Sequence, residues 1–189
     1  MMPTQTELQM QTPQESNGVA KTDALRAELL HLDRLQKFTA SINRKPPVVL
    51  EENVDGNKIL HVPVSIIEQQ LRRLYFGQYT VECIDYKLIV NEICVHARIR
   101  VKHPVTGEWL TYDGLGSVPV QQYKGSKVQD FMQTKIANAL HKNLGAAYAF
   151  AVKNAAKKIG KIFGADLMRK HEDDYKPFNL GISQEPLNS

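Results

Sequence analysis

Apolar positions recur at helical spacing in some stretches of the chain and at strand spacing in others, and the succession of the two periods lays out its architecture. Leu25, Leu29, Leu32, Leu35, Phe38 and Ile42 return at three- and four-residue steps, which predicts an amphipathic helix over residues 23–42 with Thr22 as its N-cap and Asp23 in the first turn. The Pro46–Pro47 pair then breaks the pattern. An extended stretch follows, with a turn signal at Asp55-Gly56-Asn57 and a short strand from Lys58 to Val62. Ile66, Ile67, Gln70, Leu71, Leu74 and Tyr75 supply the stripe of a second helix over residues 64–75, with Ser65 near its start. Arg72 and Arg73 point away from much of that stripe, and Gly77 sits where a C′ glycine closes a helix.

From Tyr79 the period changes. Tyr79–Val90, Glu92–Val101 and Glu108–Val118 are dense in Val, Ile, Tyr and Thr with partial alternation, separated by turn signals at Asn91 and at His103-Pro104-Val105-Thr106-Gly107. Gly114 and Gly116 lie inside the third of these strands, where paired glycines read as a bulge in preference to a close backbone approach. Residues 119–127 read as a loop, and a helix begins near Val128 and leads into the stretch Gly145–Leu167, with Gly145 either separating the two or lying within one helix. The order predicts an α+β fold: an antiparallel three-stranded β-meander packed with a long basic C-terminal helix and preceded by helices. Residues 1–20, rich in Gln, Thr, Pro and Ser, read as a disordered leader, 21–45 as a helical arm, 46–170 as the folded domain and 171–189 as an acidic flexible tail. The arm packs either on its own core or on a neighbouring subunit.

Charge sharpens the picture at the last helix. Residues 121–170 carry ten Lys/Arg against two acids, whereas residues 51–120 carry seven against nine. With Lys153 as origin and about 100° per residue, Lys157, Lys161 and Lys158 fall at roughly 40°, 80° and 140°. Val152, Ala155, Ala156, Ile159, Ile162 and Phe163 fall on the other side, between roughly 180° and 300°. Phe150, at roughly 60°, lies among the lysines, where a base could stack. Lysines unbalanced by acids point to a polyanionic partner, bound through its phosphates without sequence readout.

Other chemistry is thinly represented. The chain has no GxxxxGK[ST] phosphate loop, so nothing supports ATP or dinucleotide binding, and no cofactor is expected. Asp85-Tyr86-Lys87, with Glu82 nearby, fits a loose nuclease pattern, but such three-residue matches arise by chance. His96 and His103 lack metal-ligand spacing, and Ser117 and Ser126 lack a GxSxG setting, so no enzyme is expected. Cys83 and Cys94 read as two buried reduced thiols. The N-terminus has neither the basic start nor the apolar run of a signal peptide, and no apolar stretch approaches membrane-spanning length, so a cytoplasmic protein without a membrane partner is expected.

The helix ending in Phe76-Gly77, the meander ending in Tyr112-Asp113-Gly114-Leu115-Gly116, and Lys157-Lys158-x-x-Lys161 before Phe163-Gly164 resemble the Rad-fifty-two/Rad-twenty-two single-strand annealing proteins, with phage and bacterial members nearest. The resemblance covers about residues 58–170. It implies a β-β-β-α subunit that assembles into a homo-oligomeric ring or arc, binds single-stranded DNA in an outer groove and anneals complementary strands without ATP. Such activity would serve homologous recombination or double-strand break repair, in a bacterial cell or phage-infected host. The resemblance carries over Lys157, Lys158 and Lys161 as backbone-contacting residues, and the helical geometry adds Lys153. Ile67 stands where the family offers a basic residue, so Arg72 or Arg73 is the expected substitute. Ala149 and Phe150 stand where an early acid is usual. Eukaryotic members recruit a recombinase and a single-strand-binding protein through a long tail with no counterpart after residue 189; a single-strand-binding protein is kept only as a candidate partner. The competing readings are a basic module for duplex DNA or RNA, and a metal-dependent nuclease.

Overall fold

A computed structural model describes residues 14–54 and 56–169, so residues 1–13 of the expected leader and the whole of the expected acidic tail lie outside the described residues. Helix α1 (Gln14–Ile42) is followed by a two-stranded hairpin, β1 (Leu50–Val54) and β2 (Asn57–His61), and by helix α2 (Val64–Leu74). Three long strands come next: β3 (Tyr79–Ile89), β4 (Glu92–Lys102) and β5 (Trp109–Pro119). They form one antiparallel sheet in the order β3-β4-β5. A short helix α3 (Phe131–Thr134) and the long helix α4 (Ala139–Lys157) complete the chain, and α4 packs on the sheet. The α+β meander with a basic helix on one face is therefore observed.

Strand β4 shows why the sheet forms as it does. Ile93, Val95, Ala97, Ile99 and Val101 are buried in strict alternation, which places them all on the helix side of the central strand. Ile67 and Leu71 of α2 and Val152 of α4 close the core against them. The end of α2 differs from the expected C′ glycine by one position: Tyr75 is the C-cap, Phe76 takes the left-handed C′ conformation (φ +52°), and Gly77 follows at φ +76° with its N–H bonded to the Arg72 carbonyl.

The two strand glycines do not form a bulge. The β4–β5 register runs unbroken from Glu92↔Pro119 to Lys102↔Trp109. Instead, a Cβ on Gly114 would collide with the backbone of Ala151 and Ala155, and one on Gly116 with that of Ala147 and Ala151. Helix α4 thus lies directly on β5, its small-residue stripe meeting bare strand backbone. The bulge of the sheet falls on β3, where the register shifts between Cys83 and Asp85.

Three further expectations need correction. Helix α1 begins at Gln14, so Thr22 lies inside it and residues 14–20 do not belong to a leader; polar residues of this kind carry only a small helix penalty. The helix predicted near Val128 is broken into a 3₁₀ turn at Val128–Asp130 and the one-turn α3, while Gly145 lies within α4. Cys83 is exposed because α4 covers β4 and β5 but leaves the helix side of β3 bare from Cys83 onward, and Cys94 is half-buried on the opposite face of the sheet, away from α4. Tyr86 and Leu88 share that bare side with Cys83, and Tyr86 is 64% exposed.

The arm resolves into two parts. At its C-terminal end, Phe38 sets its ring edge-on to Tyr75 (5.7 Å) and to His103 (4.6 Å), and Ile42 covers Gly160. His103 Nδ1 accepts hydrogen bonds from the N–H groups of Val105 and Thr106 (3.3 and 3.1 Å), so this docking point also builds the β4–β5 turn. Further up the helix, Leu25, Leu29 and Leu30 are more than half exposed. No described helix is long and apolar enough to cross a membrane.

Because the Ala151 and Ala147 backbone has nowhere to retreat, Gly116→Ala is expected to destabilise the protein by about 1–3 kcal/mol or more, as overpacking of a core does. Denaturant unfolding checks this: an unchanged midpoint would remove the close helix–strand contact from the account.

Candidate nucleic-acid interface

Helix α4 contains no Asp or Glu along its length, while it carries Lys142, Lys153 and Lys157. Its polar residues divide into two sets. Asn143, Asn154 and Lys158 turn toward the outer edge of β5, where Asn154 Nδ2 donates to the Leu115 carbonyl (2.8 Å), Asn143 to the Pro119 carbonyl and Lys158 Nζ to the Asp113 carbonyl. Those strand carbonyls face away from β4, and the helix side chains satisfy them. Lys158 is thereby committed in part to holding the helix on the strand.

Lys153, Lys157 and Phe150 form the other set. Lys153 Nζ lies 5.3 Å from the centroid of the Phe150 ring, and that ring is 44% exposed. Burial pushes the Lys153 ammonium below its ordinary pKa; Glu52 pulls it back up, and Lys157 pushes it further down. This is the face that the sequence pattern identifies, with its base-sized aromatic beside it.

Lys161 does not belong to it. Helix α4 ends at Lys157, with Lys158 as its C-cap, and the chain passes through Gly160 into a 3₁₀ turn over Lys161–Phe163. A Cβ on Gly160 would stand 2.6 Å from the Ile42 carbonyl oxygen, so the end of α1 occupies the space a continuing side chain would need. Off the helix, Lys161 Nζ pairs with Asp166 at 3.1 Å, and the two side chains are only 18% and 11% exposed. Arg169 reaches the other oxygen of Asp166 at 3.4 Å. Arg72 and Arg73 stand exposed on the last turn of α2.

The β1–β2 hairpin contributes groups that the sequence pattern did not single out. Its register pairs Leu50 with His61 and Glu52 with Ile59, so Glu52 and His61 lie diagonally on one face, with Nδ1 and Oε2 3.9 Å apart. Glu51 and Lys58 pair on the opposite face at 2.8 Å. Burial lowers the His61 pKa most, Lys153 and Lys157 lower it too, and Glu52 opposes them. Lys153 and Lys157 thus act on His61 electrostatically, and among the described residues no ion pair joins either lysine to Glu52. The root of the hairpin is held by Leu60, whose N–H bonds to Met168 Sδ (3.3 Å), and by Val62 against Gly164. No local spacing rule links residues 52 and 61 to residues 153 and 157, so only the folded chain couples them.

The nuclease pattern assembles differently from its expectation. Asp85 Oδ2 closes on Lys87 Nζ at 3.2 Å, and that ammonium holds the Asp85 carboxyl below its usual range. No group of three or more His, Cys, Asp or Glu among the described residues could hold a metal ion. On the outer sheet face, Asp113 takes a two-pronged bond from Arg98 (2.7 and 3.0 Å), with His96 Nε2 at 3.5 Å.

Comparison with known proteins finds no family model that matches the chain and no curated protein that matches it.

The contrast between the lysines gives a direct check. Lys161→Ala would strand Asp166 in a nearly buried position and is expected to cost about 1–3 kcal/mol of stability, whereas Lys157→Ala should stay within about 0.5 kcal/mol, as surface changes do. Equal unfolding midpoints for the two variants would show that Lys161 is not structural.

Proposed function

We propose that this chain binds single-stranded DNA through Lys153 and Lys157 and anneals complementary strands without ATP, in homologous recombination or break repair. The observation that carries this reading is one side of an acid-free helix, on which Lys153 lies against the exposed Phe150 ring and Lys157 follows one turn on. The ammonium groups neutralise phosphates and release counterions, and the ring gives a base a surface to stack on. Such contacts hold a strand by its backbone and one π-face, and so are indifferent to sequence. Annealing asks for that indifference, because the base edges must stay free to pair. The resemblance of the meander and the Lys-Lys-x-x-Lys segment to annealing proteins supports the same reading. Lys158 joins the site with whatever donors its bond to Asp113 leaves free, Arg72 and Arg73 are the further contacts offered by α2, and Lys161 is held in its pair with Asp166.

The working form is a homo-oligomer, a ring or an arc. Two surfaces support it: the leucine stripe of α1, which leaves the body beyond Phe38, and the bare helix side of β3. A helix of this length draws most of its stability from a partner for its apolar face, and a second copy supplies an apolar surface in β3.

Replacing Lys153 and Lys157 together by alanine is expected to weaken binding of single-stranded oligonucleotides of any sequence and to flatten the salt dependence by about 1.4 in log–log slope, 0.7 for each lysine. Unchanged affinity and slope would remove this face as the site; tighter binding of duplex than of single strands would favour a duplex-binding module instead. The purified protein should sediment well above its 21.4 kDa chain mass, and Leu25→Lys with Leu29→Lys should shift it toward the monomer. A wild-type monomer at micromolar concentration would overturn the assembly.

A further inference from the structure

The side of the sheet away from α4 has a charge pattern of its own. Alternation along β4 turns Cys94, His96, Arg98, Arg100 and Lys102 to that outer face, while α4 packs on the other. In the register Thr80 and Thr111 flank Arg100, and Trp109 stands opposite Lys102. We propose that Trp109, Arg100 and Lys102 form a second binding site for single-stranded nucleic acid, where one base stacks on the indole and the two cations hold its neighbouring phosphates. This site lies across the sheet from the lysine face and does not depend on it.

Two observations carry it, and the first is where the charges are balanced. Over much of the outer face each cation has its acid: Arg98 holds both oxygens of Asp113 (2.7 and 3.0 Å), and Lys87 Nζ lies 3.2 Å from Asp85. Glu82 also stands opposite Arg98. Toward the β4–β5 turn the pairing stops. Among the described residues no ion pair engages Arg100 or Lys102, and the positions on either side of Arg100 are exposed threonines instead of acids. This end of the face is therefore complementary to a polyanion.

The second observation is the ring. Trp109 is the only tryptophan of the chain; it is 49% exposed, and Arg100 Cζ lies 5.4 Å from its centroid. A planar, delocalised cation thus occupies the place that a base would take. At an exposed site such a contact is weaker than a base stacked on an aromatic ring, so the exchange favours the base. The guanidinium released from the ring offers a phosphate its two-pronged donors, and Lys102 adds a point charge. The hydroxyls of Thr80 and Thr111 are further donors to the backbone. Cross-strand packing alone accounts for the stack, but not for two cations without acids beside it.

The chemistry sets the kind of ligand. Stacking needs a base whose face is free, so single strands are preferred to duplex, and no group of the site reads a base edge, so sequence does not matter. Because the sheet separates the two surfaces, one subunit holds two strands at once. A strand bound at Trp109 is then kept at high local concentration beside the strand on the lysine face.

Since Trp109 is the sole tryptophan, its fluorescence reports this site directly. The full chain is titrated with oligothymidylate as wild type, as Lys153→Ala with Lys157→Ala, and as Arg100→Gln with Lys102→Gln. Saturable quenching is expected in the wild type and should persist when Lys153 and Lys157 are replaced. Replacing Arg100 and Lys102 should lower the affinity read by Trp109 about tenfold or more, as loss of charged hydrogen bonds does. It should also flatten the log–log salt slope of that signal by about 1.4, 0.7 for each cation. The first two proteins answer the question whether or not the third one folds. Absence of quenching in the wild type overturns this site and leaves the lysine face standing, which a labelled oligonucleotide reports separately. Quenching that vanishes with Lys153 and Lys157, or an affinity indifferent to Arg100 and Lys102, overturns it as well. Quenching by polyglutamate with none by oligothymidylate overturns it in favour of an acidic peptide partner.

Discussion

The structure depends on one contact: a helix laid on a strand with no side chain between them. Gly114 and Gly116 present bare backbone, and Ala147, Ala151 and Ala155 come down on it. A helix seated that closely is fixed in rotation as well as in height. Asn143, Asn154 and Lys158 then fall within reach of the carbonyls of Pro119, Leu115 and Asp113, and each bond pins the helix further. With those residues turned to the edge and Val152 and Ala156 turned to the core, Lys153 and Lys157 are left half-buried on the remaining side of the helix. The position of the basic face follows from the glycines of a strand on the other side of the helix.

Much of this was legible because it was local. The alternation of β4 and the 3.6-residue stripe of α2 are read from neighbours in sequence, and those elements lie close to their expected bounds. The acid-free character of α4 is equally visible. What was not legible depends on partners distant along the chain. The helix was expected to run on to Leu167, but Gly160 yields its side-chain space to Ile42. The glycines of β5 read as a bulge because a helix that needs their bareness lies far downstream. The cysteines read as buried because strand sequence reveals neither that β3 lacks a cover at Cys83 nor that Cys94 lies on the sheet face away from α4. Glu52 and His61 carried no signal at all, since their significance comes from a hairpin register and from lysines in another element.

Four lysines in one short stretch illustrate how little a charge pattern alone decides. Lys153 and Lys157 stay half-buried on one side of the helix, Lys153 against the Phe150 ring. Lys158 caps a strand carbonyl. Lys161 is folded into a nearly buried ion pair with Asp166. A desolvated pair of this sort contributes little net stability when intact, but its parts cannot be removed singly without loss. Substituting basic residues in bulk across this stretch would therefore mix two unrelated effects, one on the surface and one on the fold.

The side chains that seal β5 have a consequence for symmetry. A sheet can be extended by backbone pairing only at an edge whose N–H and C=O groups are open, and α4 occupies one of the two edges here. The other, β3, is eleven residues long and carries no neighbour. Copies whose three-stranded sheets join edge to edge could therefore meet only β3 to β3, a two-fold arrangement that consumes the open edge of both. A larger assembly would have to draw on surfaces other than these sheet edges, among them the exposed leucines of α1.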